Sequence, residues 1–291
     1  MNYTTILKTY NQYIDPFDLT LLISHVTKKS REFFIAHPDY TLSFYEYIRL
    51  RIAIYKRKSG IPIAYITGHK EFYGLDFDVN KYTLVPRPDT EILVEAVNKE
   101  LRIKNKEFVL IDVGTGSGCI PIAIGKPAGR QGGYANRLIG KIFATDISAG
   151  ALRVAKKNAE KHGVDITFYQ GNLLTPLFNQ KTRKLENQQI IITANLPYLT
   201  EQQFIEEPSI QHEPKSALVA EKQGLALYEE LLGQIKKYMP NNDLTAFFEI
   251  DPAQTISLTT MIRGVFPNAP ISIIKDLSGS DRCIQFSFSK S

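Results

Sequence analysis

Seven short apolar runs separated by helix-forming stretches fill the chain from residue 108 onward, and they constrain the fold more than any other feature. "FVLIDVG" (108–114), "GKIFATDI" (140–147), "DITFYQGN" (165–172) and "QQIIITANLPYL" (188–199) each read as a strand. "LTAFFEI", "PISIIKDL" and "RCIQFSFS" add three more. Between them lie "CIPIAIGK", "SAGALRVAKKNAEKHG", the amphipathic "LALYEELLGQIKKYM" and "PAQTISLTTMIRGVF", all of which read as helices. Strands that alternate with helices predict an α/β, doubly wound, mostly parallel sheet of seven strands. The last two strands, joined by "SGSD", predict an antiparallel edge hairpin. In such sheets ligands bind outside the carboxyl ends of the strands.

Those ends carry the informative residues. The first strand runs into "DVGTGSGC" (112–119), where Gly114, Gly116 and Gly118 let the backbone turn sharply and approach a ligand. The spacing is not the GxGxxG of nicotinamide and flavin sites, because the third glycine falls one place early. A plain structural turn remains open on this motif alone. Asp146 closes the next strand, where an acid accepts the hydroxyls of a ribose. Its distance from the loop exceeds the usual spacing, and the glycine-rich stretch 126–140 accounts for the excess. Asn172, followed by Leu173, ends the third strand and can face an adenine edge or simply serve its turn. A nucleoside site with no phosphate-binding lysine, and with the carboxylate of Asp112 free beside the loop, fits S-adenosylmethionine. Asp112, Gly114, Thr115, Gly116, Ser117, Gly118, Asp146, Asn172, Leu173 and Asn195 are the candidate cofactor-binding residues.

The fourth strand ends Asn195-Leu196-Pro197-Tyr198, the candidate catalytic set. A planar nitrogen conjugated to a carbonyl or a ring is a poor nucleophile, because its lone pair is delocalised. Two acceptors set against its N–H groups favour a localised lone pair as a methyl group arrives. The Asn195 side-chain oxygen can be one. The Leu196 carbonyl can be the other, since Pro197 holds the preceding residue extended. Tyr198 can stack on the planar group. The remaining requirement is alignment of nitrogen, methyl carbon and sulfur.

Residues 1–68 read as a separate helical domain. "DPFDLTLLISHVTKKS" carries Leu19, Leu22, Ile23 and Val26 at helical spacing after an acidic, proline-containing start. A short helix is expected over 30–36. "TLSFYEYIRLRIAIYKRKSG" predicts another helix, with Thr41 as N-cap and Gly60 as C-cap. Nothing here is a catalytic constellation. A partner-binding or site-covering domain is expected, followed by a β-hairpin linker over 69–90 around Gly74 and Asn80. Asp89 or Thr90 should then cap a helix running through Leu101, which opens the 91–291 domain.

Composition narrows the class. With 43% hydrophobic and 22% charged residues the chain is globular, and a net charge of +5 spread over scattered Lys/Arg pairs gives no dense nucleic-acid stripe. Cys119 and Cys283 form no disulfide framework or CxxC, which suits a reducing cytosol. The five histidines show no metal-ligand spacing, so no metal is expected. The N-terminus lacks a signal pattern and no apolar run reaches a membrane span, so a cytoplasmic protein is expected.

The ordered set "DVGTGSG", "ATD", "GN" and "NLPY" resembles S-adenosylmethionine-dependent amino-methyltransferases of class I. With "GIPIAYITGHKEFYGLDFDV", "LVPRPDTEILVE", "HEPKSAL", "EI" at 249–250 and "DLSGSDR", the resemblance extends over nearly the whole chain to the bacterial-type release-factor glutamine methyltransferases, often called HemK or PrmC. It implies methylation of the side-chain amide of the glutamine in the Gly-Gly-Gln motif of class I peptide chain release factors. It implies that Asn195, Leu196, Pro197 and Tyr198 hold that amide, that the N-terminal helices grip the release factor, and that Arg87, Pro88 and Thr90 lie near the site mouth. A monomer is expected, with nucleic acid met only indirectly. Three features depart from the family pattern: Leu196 where a proline is usual, Asn172 where an aspartate is usual, and the longer 126–140 stretch. The form Asn-Leu-Pro-Tyr also resembles ribosomal-RNA adenine dimethyltransferases, so an adenine amino-methyltransferase of DNA or RNA is the alternative. A non-catalytic scaffold and a nucleotide-dependent oxidoreductase fit less well, because the acceptor set is filled and the glycine spacing is wrong.

Overall fold

The computed structural model describes residues 1–104, 106–126, 138–179, 185 and 188–289, and these form two units. The first unit is Met1–His69 together with Glu207–His212, and the second is the rest. Of the glycine-rich stretch 126–140, residues 127–137 lie outside the described residues.

The first unit is helical. Asp15 caps the helix Pro16–Thr27 by accepting from the N–H groups of Phe17 and Asp18. Leu19, Leu22, Ile23 and Val26, the expected stripe, are buried with Phe34, Leu50 and Ile54. The short helix is Arg31–Ala36, capped by Ser30. The long helix is Phe44–Lys58, and its caps differ from expectation. Ser43, not Thr41, is the N-cap: its hydroxyl accepts from Glu46 N–H while the Glu46 carboxylate accepts from Ser43 N–H. That reciprocal box satisfies two orphan donors, which a lone Thr41 cannot do. Ser59 is the C-cap, and Gly60 follows it. No sequence signal marks Glu207–His212 as part of this unit, but His212 Nε2 bonds the Ser59 carbonyl at 2.6 Å.

The second unit opens with a hairpin, β1 (His69–Phe72) and β2 (Leu75–Asp78), so that most of the expected 69–90 linker belongs to this unit. Asn80 makes no strand end; its side chain accepts from Tyr82 N–H in a local turn. Neither Asp89 nor Thr90 caps the next helix. Pro88–Thr90 form a 3-10 turn continuous with the helix Glu91–Lys104.

The main sheet has seven strands. They are β3 (Phe108–Val113), β4 (Ile139–Asp146), β5 (Thr167–Gln170), β6 (Gln189–Ala194), β7 (Asp243–Glu249), β8 (Ile271–Lys275) and β9 (Asp281–Phe288). Their order is β5-β4-β3-β6-β7-β9-β8. The first five run parallel, and β9 pairs antiparallel with both β7 and β8, so the expected edge hairpin is present. Alternation along β3 separates the two cores. Val109, Ile111 and Val113 face one, with Ile192, Tyr228 and Phe248, while Phe108 and Leu110 face the other, with Val94, Ile122 and Phe247. The chain leaves β3 toward β4 and returns to β6 on the other side. The carboxyl ends of β3 and β6 therefore flank the crevice where such sheets bind ligands. Among the described residues no helix is long and apolar enough to cross a membrane.

Candidate active site

A cavity of about 450 Å³ opens at the carboxyl ends of β3, β4 and β6. The glycine loop forms one wall. Gly114, Gly116 and Gly118 all have positive φ, at 74°, 56° and 81°, which explains three glycines in five residues. The loop is tied down from two sides. Gly116 N–H donates to Asp146 Oδ2 at 2.8 Å, and Gly118 N–H donates to the Thr115 carbonyl. Behind it, the fully buried Asn158 of helix Ala149–His162 donates to the Ser117 carbonyl and brackets Asp78 on β2.

Ten of the candidate residues line this one cavity: Gly114, Thr115, Gly116, Ser117, Asp146, Asn172, Leu173, Asn195, Leu196 and Pro197. Asp112, Gly118 and Tyr198 do not. Asp112 is not the free carboxylate expected. It is fully buried on β3, opposite Thr193 on β6, whose hydroxyl donates to Oδ1 at 2.6 Å. The cause is its place inside a central strand, one residue before the loop begins. Burial pushes its pKa up to about 6 against the Thr193 hydrogen bond. Oδ2 and the nearby Thr115 hydroxyl are buried without a hydrogen-bond partner.

Asp146 is held by two backbone donors, Gly116 N–H on Oδ2 and Ser148 N–H on Oδ1. Burial still raises its pKa, with those two bonds opposing. Each oxygen keeps an acceptor site for a further hydroxyl. Asn172 donates to Glu230 Oε1 at 2.5 Å, so its side chain already has a protein partner.

The acceptor turn is built from four elements. Asn195 Nδ2 donates to Thr90 Oγ1 at 3.1 Å. Leu196 N–H donates to the Tyr228 hydroxyl at 3.3 Å, and Tyr228 in turn donates to the Glu249 carbonyl. The Tyr198 carbonyl accepts from Gln254 Nε2 at 2.9 Å. Leu196 also closes on the loop: a Cβ at Gly114 would meet Leu196 Cδ2 at 2.9 Å. The glycine loop and the Asn195–Tyr198 turn are thus in van der Waals contact. Tyr198 is half-buried, and burial together with the Glu249 charge raises its pKa, so it stays a neutral phenol. Cys119 lines the cavity, but burial pushes its thiol far above neutrality and leaves it no nucleophile.

Sequence reasoning missed several parts. Lys81 and Tyr82 line the cavity from the turn after β2. Of the three residues the resemblance placed near the site mouth, Arg87 and Thr90 line the cavity and Pro88 does not. Arg87 Nη2 donates to Glu213 Oε1 at 2.5 Å, while the other oxygen of that nearly buried carboxylate accepts from Val85 N–H. "VPRPDTE" and "HEPKSAL" are therefore one construction: the second motif's acid fixes the first motif's arginine. Glu249 is 3% exposed at the end of β7, and burial raises its pKa to about 7. The isolated "EI" gave no reason to expect that.

Comparison with known proteins gives the same outline. Residues 3–68 match the PrmC N-terminal domain family and residues 104–246 a methyltransferase domain family. The release factor glutamine methyltransferase of Enterococcus faecalis is 38% identical over 225 residues, 76% of this chain and 74% of that protein. The protein of the same name from Clostridium botulinum is 34% identical over 92% of this chain and 90% of its own length. The N-terminal domain of human METTL16 in complex with SAH shares the fold, with a TM-score of 0.53 at 16% identity over 92% of this chain and 94% of that one.

Proposed function

This chain belongs to the release factor glutamine methyltransferase family, and we propose that it moves the methyl group of S-adenosylmethionine to the glutamine amide nitrogen of the Gly-Gly-Gln motif in class I peptide chain release factors. The enzyme class, a protein-glutamine N-methyltransferase, comes with the family. The cofactor and the motif are our reading. One observation carries it: the turn Asn195-Leu196-Pro197-Tyr198 meets the glycine loop at the Leu196–Gly114 contact, so candidate acceptors for a planar nitrogen adjoin the glycine-lined cavity.

The residues fit the cofactor. The loop leaves room where side chains would intrude, Asp146 has acceptor capacity for ribose hydroxyls, and the unpartnered Asp112 Oδ2 behind the loop is an acceptor that an ammonium group would satisfy. SAH in the METTL16 domain supports the same class of ligand on this fold. Bound there, S-adenosylmethionine supplies an electrophilic methyl on a positively charged sulfur. The protein does the rest by placement. Asn195 Oδ1 and the Leu196 carbonyl accept the two N–H bonds of the substrate amide, which fixes its plane and localises its lone pair. In that placement the nitrogen would take the methyl carbon as its bond to sulfur breaks, the sulfur would keep that electron pair and lose its charge, and the nitrogen would shed one proton to water at the cavity mouth. Walls of Leu196, Pro197 and Leu173 keep the path dry. The helical first unit, which carries no chemistry-bearing cluster, is the candidate grip for the release factor.

The test is methyl transfer from labelled cofactor, offered a release factor, its Gln→Ala variant, ribosomal RNA and duplex DNA side by side. Label on the intact release factor alone is expected. Label on RNA or DNA instead would transfer the chemistry to adenine.

A further inference from the structure

Asn195 works only if its oxygen, not its nitrogen, faces the substrate. The two ends of an amide are the same size, so hydrogen-bond partners alone decide which way it points. The partner is the Thr90 hydroxyl, 3.1 Å from Nδ2. A hydroxyl both donates and accepts, so Thr90 would hold either end of Asn195 equally well. Something beyond Thr90 must set the direction.

Glu249 stands there. It ends β7, beside the strand that delivers Asn195, and its backbone carbonyl is fastened to the same turn through Tyr228. Its carboxyl is buried, the Thr90 and Asn195 side chains lie close enough to it to favour its ionised form, and Oε2 lacks a hydrogen-bond partner. An ionised carboxylate accepts only. We propose, resting on the reading of Asn195 above, that Glu249 is the positioning residue of the active site: its carboxylate takes the Thr90 O–H, Thr90 oxygen must then accept from Asn195 Nδ2, and Asn195 is left with its oxygen toward the substrate nitrogen. A protonated Glu249 donates instead, Thr90 can reverse, and the amide loses its imposed direction. The charged and titratable groups around it are Asp89 on the 3-10 turn, Arg282 and Cys283 on β9, Tyr228 on the helix Ala226–Tyr238, Tyr198 and Cys119. Asp89 opposes ionisation and Arg282 favours it. Because burial raises the Glu249 pKa to about 7, the relay switches near neutrality.

The experiment measures kcat and KM against pH with a release factor and saturating S-adenosylmethionine. For the wild type, kcat should rise about tenfold per pH unit on the acid side and level off near neutrality. Glu249→Gln offers both donor and acceptor and imposes no direction. It should lower kcat about 10- to 100-fold, below the cost of losing a directly acting group. KM should stay within roughly threefold, and the acid limb should vanish. Thr90→Val, which breaks the relay at the same volume, should lose at least roughly ten times more kcat than Thr90→Ser. Melting curves and calorimetric cofactor affinity report whether each variant is folded. A Glu249→Gln enzyme with wild-type kcat, or one that keeps the acid limb, overturns the relay while leaving the Asn195 reading intact. A wild type that does not methylate the release factor overturns both.

Discussion

The backbone N–H of Gly116 donates to Oδ2 of Asp146 at 2.8 Å, so the glycine loop after β3 is clamped by the acid that closes β4. On the proposed reading Asp146 has two tasks, shaping the loop and accepting ribose hydroxyls. Asp146→Ala removes both. Hydrogen bonds to a charged group contribute about 1.5–3 kcal/mol, so S-adenosylmethionine affinity should fall roughly 10- to 150-fold. Titration calorimetry checks this, and unchanged affinity would remove Asp146 from the cofactor site.

Burial of Glu249 also makes stability depend on pH. Its folded pKa is about 7, above the ordinary 4.5, so the native state holds a proton that the unfolded chain releases. The resulting stability is fully present below pH 4.5 and is lost as pH rises through 7. Asp112, raised to about 6, acts in the same direction. Asp276, whose carboxyl is held down by Ser278 and Arg282, exerts its effect only at more acid pH. Glu249→Gln does not titrate. Relative to wild type it should therefore gain on the order of 3 kcal/mol between pH 4.5 and pH 8. Denaturation of the cofactor-free proteins at both pH values reads this difference directly, and a flat difference would mean that Glu249 is not a buried acid.

Tyr228 joins the acceptor turn to β7 with one hydroxyl. Tyr228→Phe leaves the Leu196 N–H and the Glu249 carbonyl buried and unpaired. Two orphaned backbone groups should cost roughly 2–4 kcal/mol. The turn should also lose its fixed distance from the loop, so kcat should fall with the stability. Urea unfolding and turnover measured on the same sample separate this from a purely structural defect.

The sheet was legible because each parallel strand is a continuous apolar run and each crossover an amphipathic helix, signals carried by local sequence. Strand ends were legible for the same reason, which is why the glycine loop, Asp146 and Asn195-Leu196-Pro197 fall in one cavity. What stayed hidden depends on contacts between distant segments. Glu213 meets Arg87 across 126 positions, and Tyr228 meets Leu196 across 32. The burial of Asp112 was not legible, because adjacency to a loop says nothing about which side of a strand a carboxylate faces. Thr41 and Ser43 are both good capping residues, and only the Glu46 partner makes Ser43 the cap.

The helix Phe44–Lys58 exposes Phe44, Ile48, Ile52 and Tyr55 along one face, at spacings that bring them into a single stripe. An apolar stripe without a function is unusual on a surface helix. If the first unit grips the release factor, Phe44→Asp with Tyr55→Asp should raise KM for the release factor about tenfold or more, the loss of roughly 1.4 kcal/mol. S-adenosylmethionine affinity and melting temperature should stay at wild-type values, since neither side chain is in a core. Equal KM for wild type and double variant would place the grip elsewhere.

On the proposed mechanism the neighbours Asn195 and Leu196 act through different atoms, and their variants should differ accordingly. Asn195 contributes a side-chain oxygen. Asn195→Ala removes an acceptor aimed at the reacting nitrogen, and by analogy with losing one preorganised group the rate should fall about 100- to 1,000-fold. Cofactor affinity should change far less. Leu196 contributes its backbone carbonyl, and its N–H is already held by Tyr228. Leu196→Pro keeps the carbonyl but deletes that N–H, and it alters the Leu196–Gly114 contact. The two losses together should keep turnover within roughly tenfold, about 1.4 kcal/mol of barrier. A loss beyond that would mean that the Tyr228 bond, rather than the extended backbone before Pro197, positions the carbonyl. Near-normal turnover by Asn195→Ala on a release factor would leave the amide with no side-chain acceptor and end this account of the chemistry.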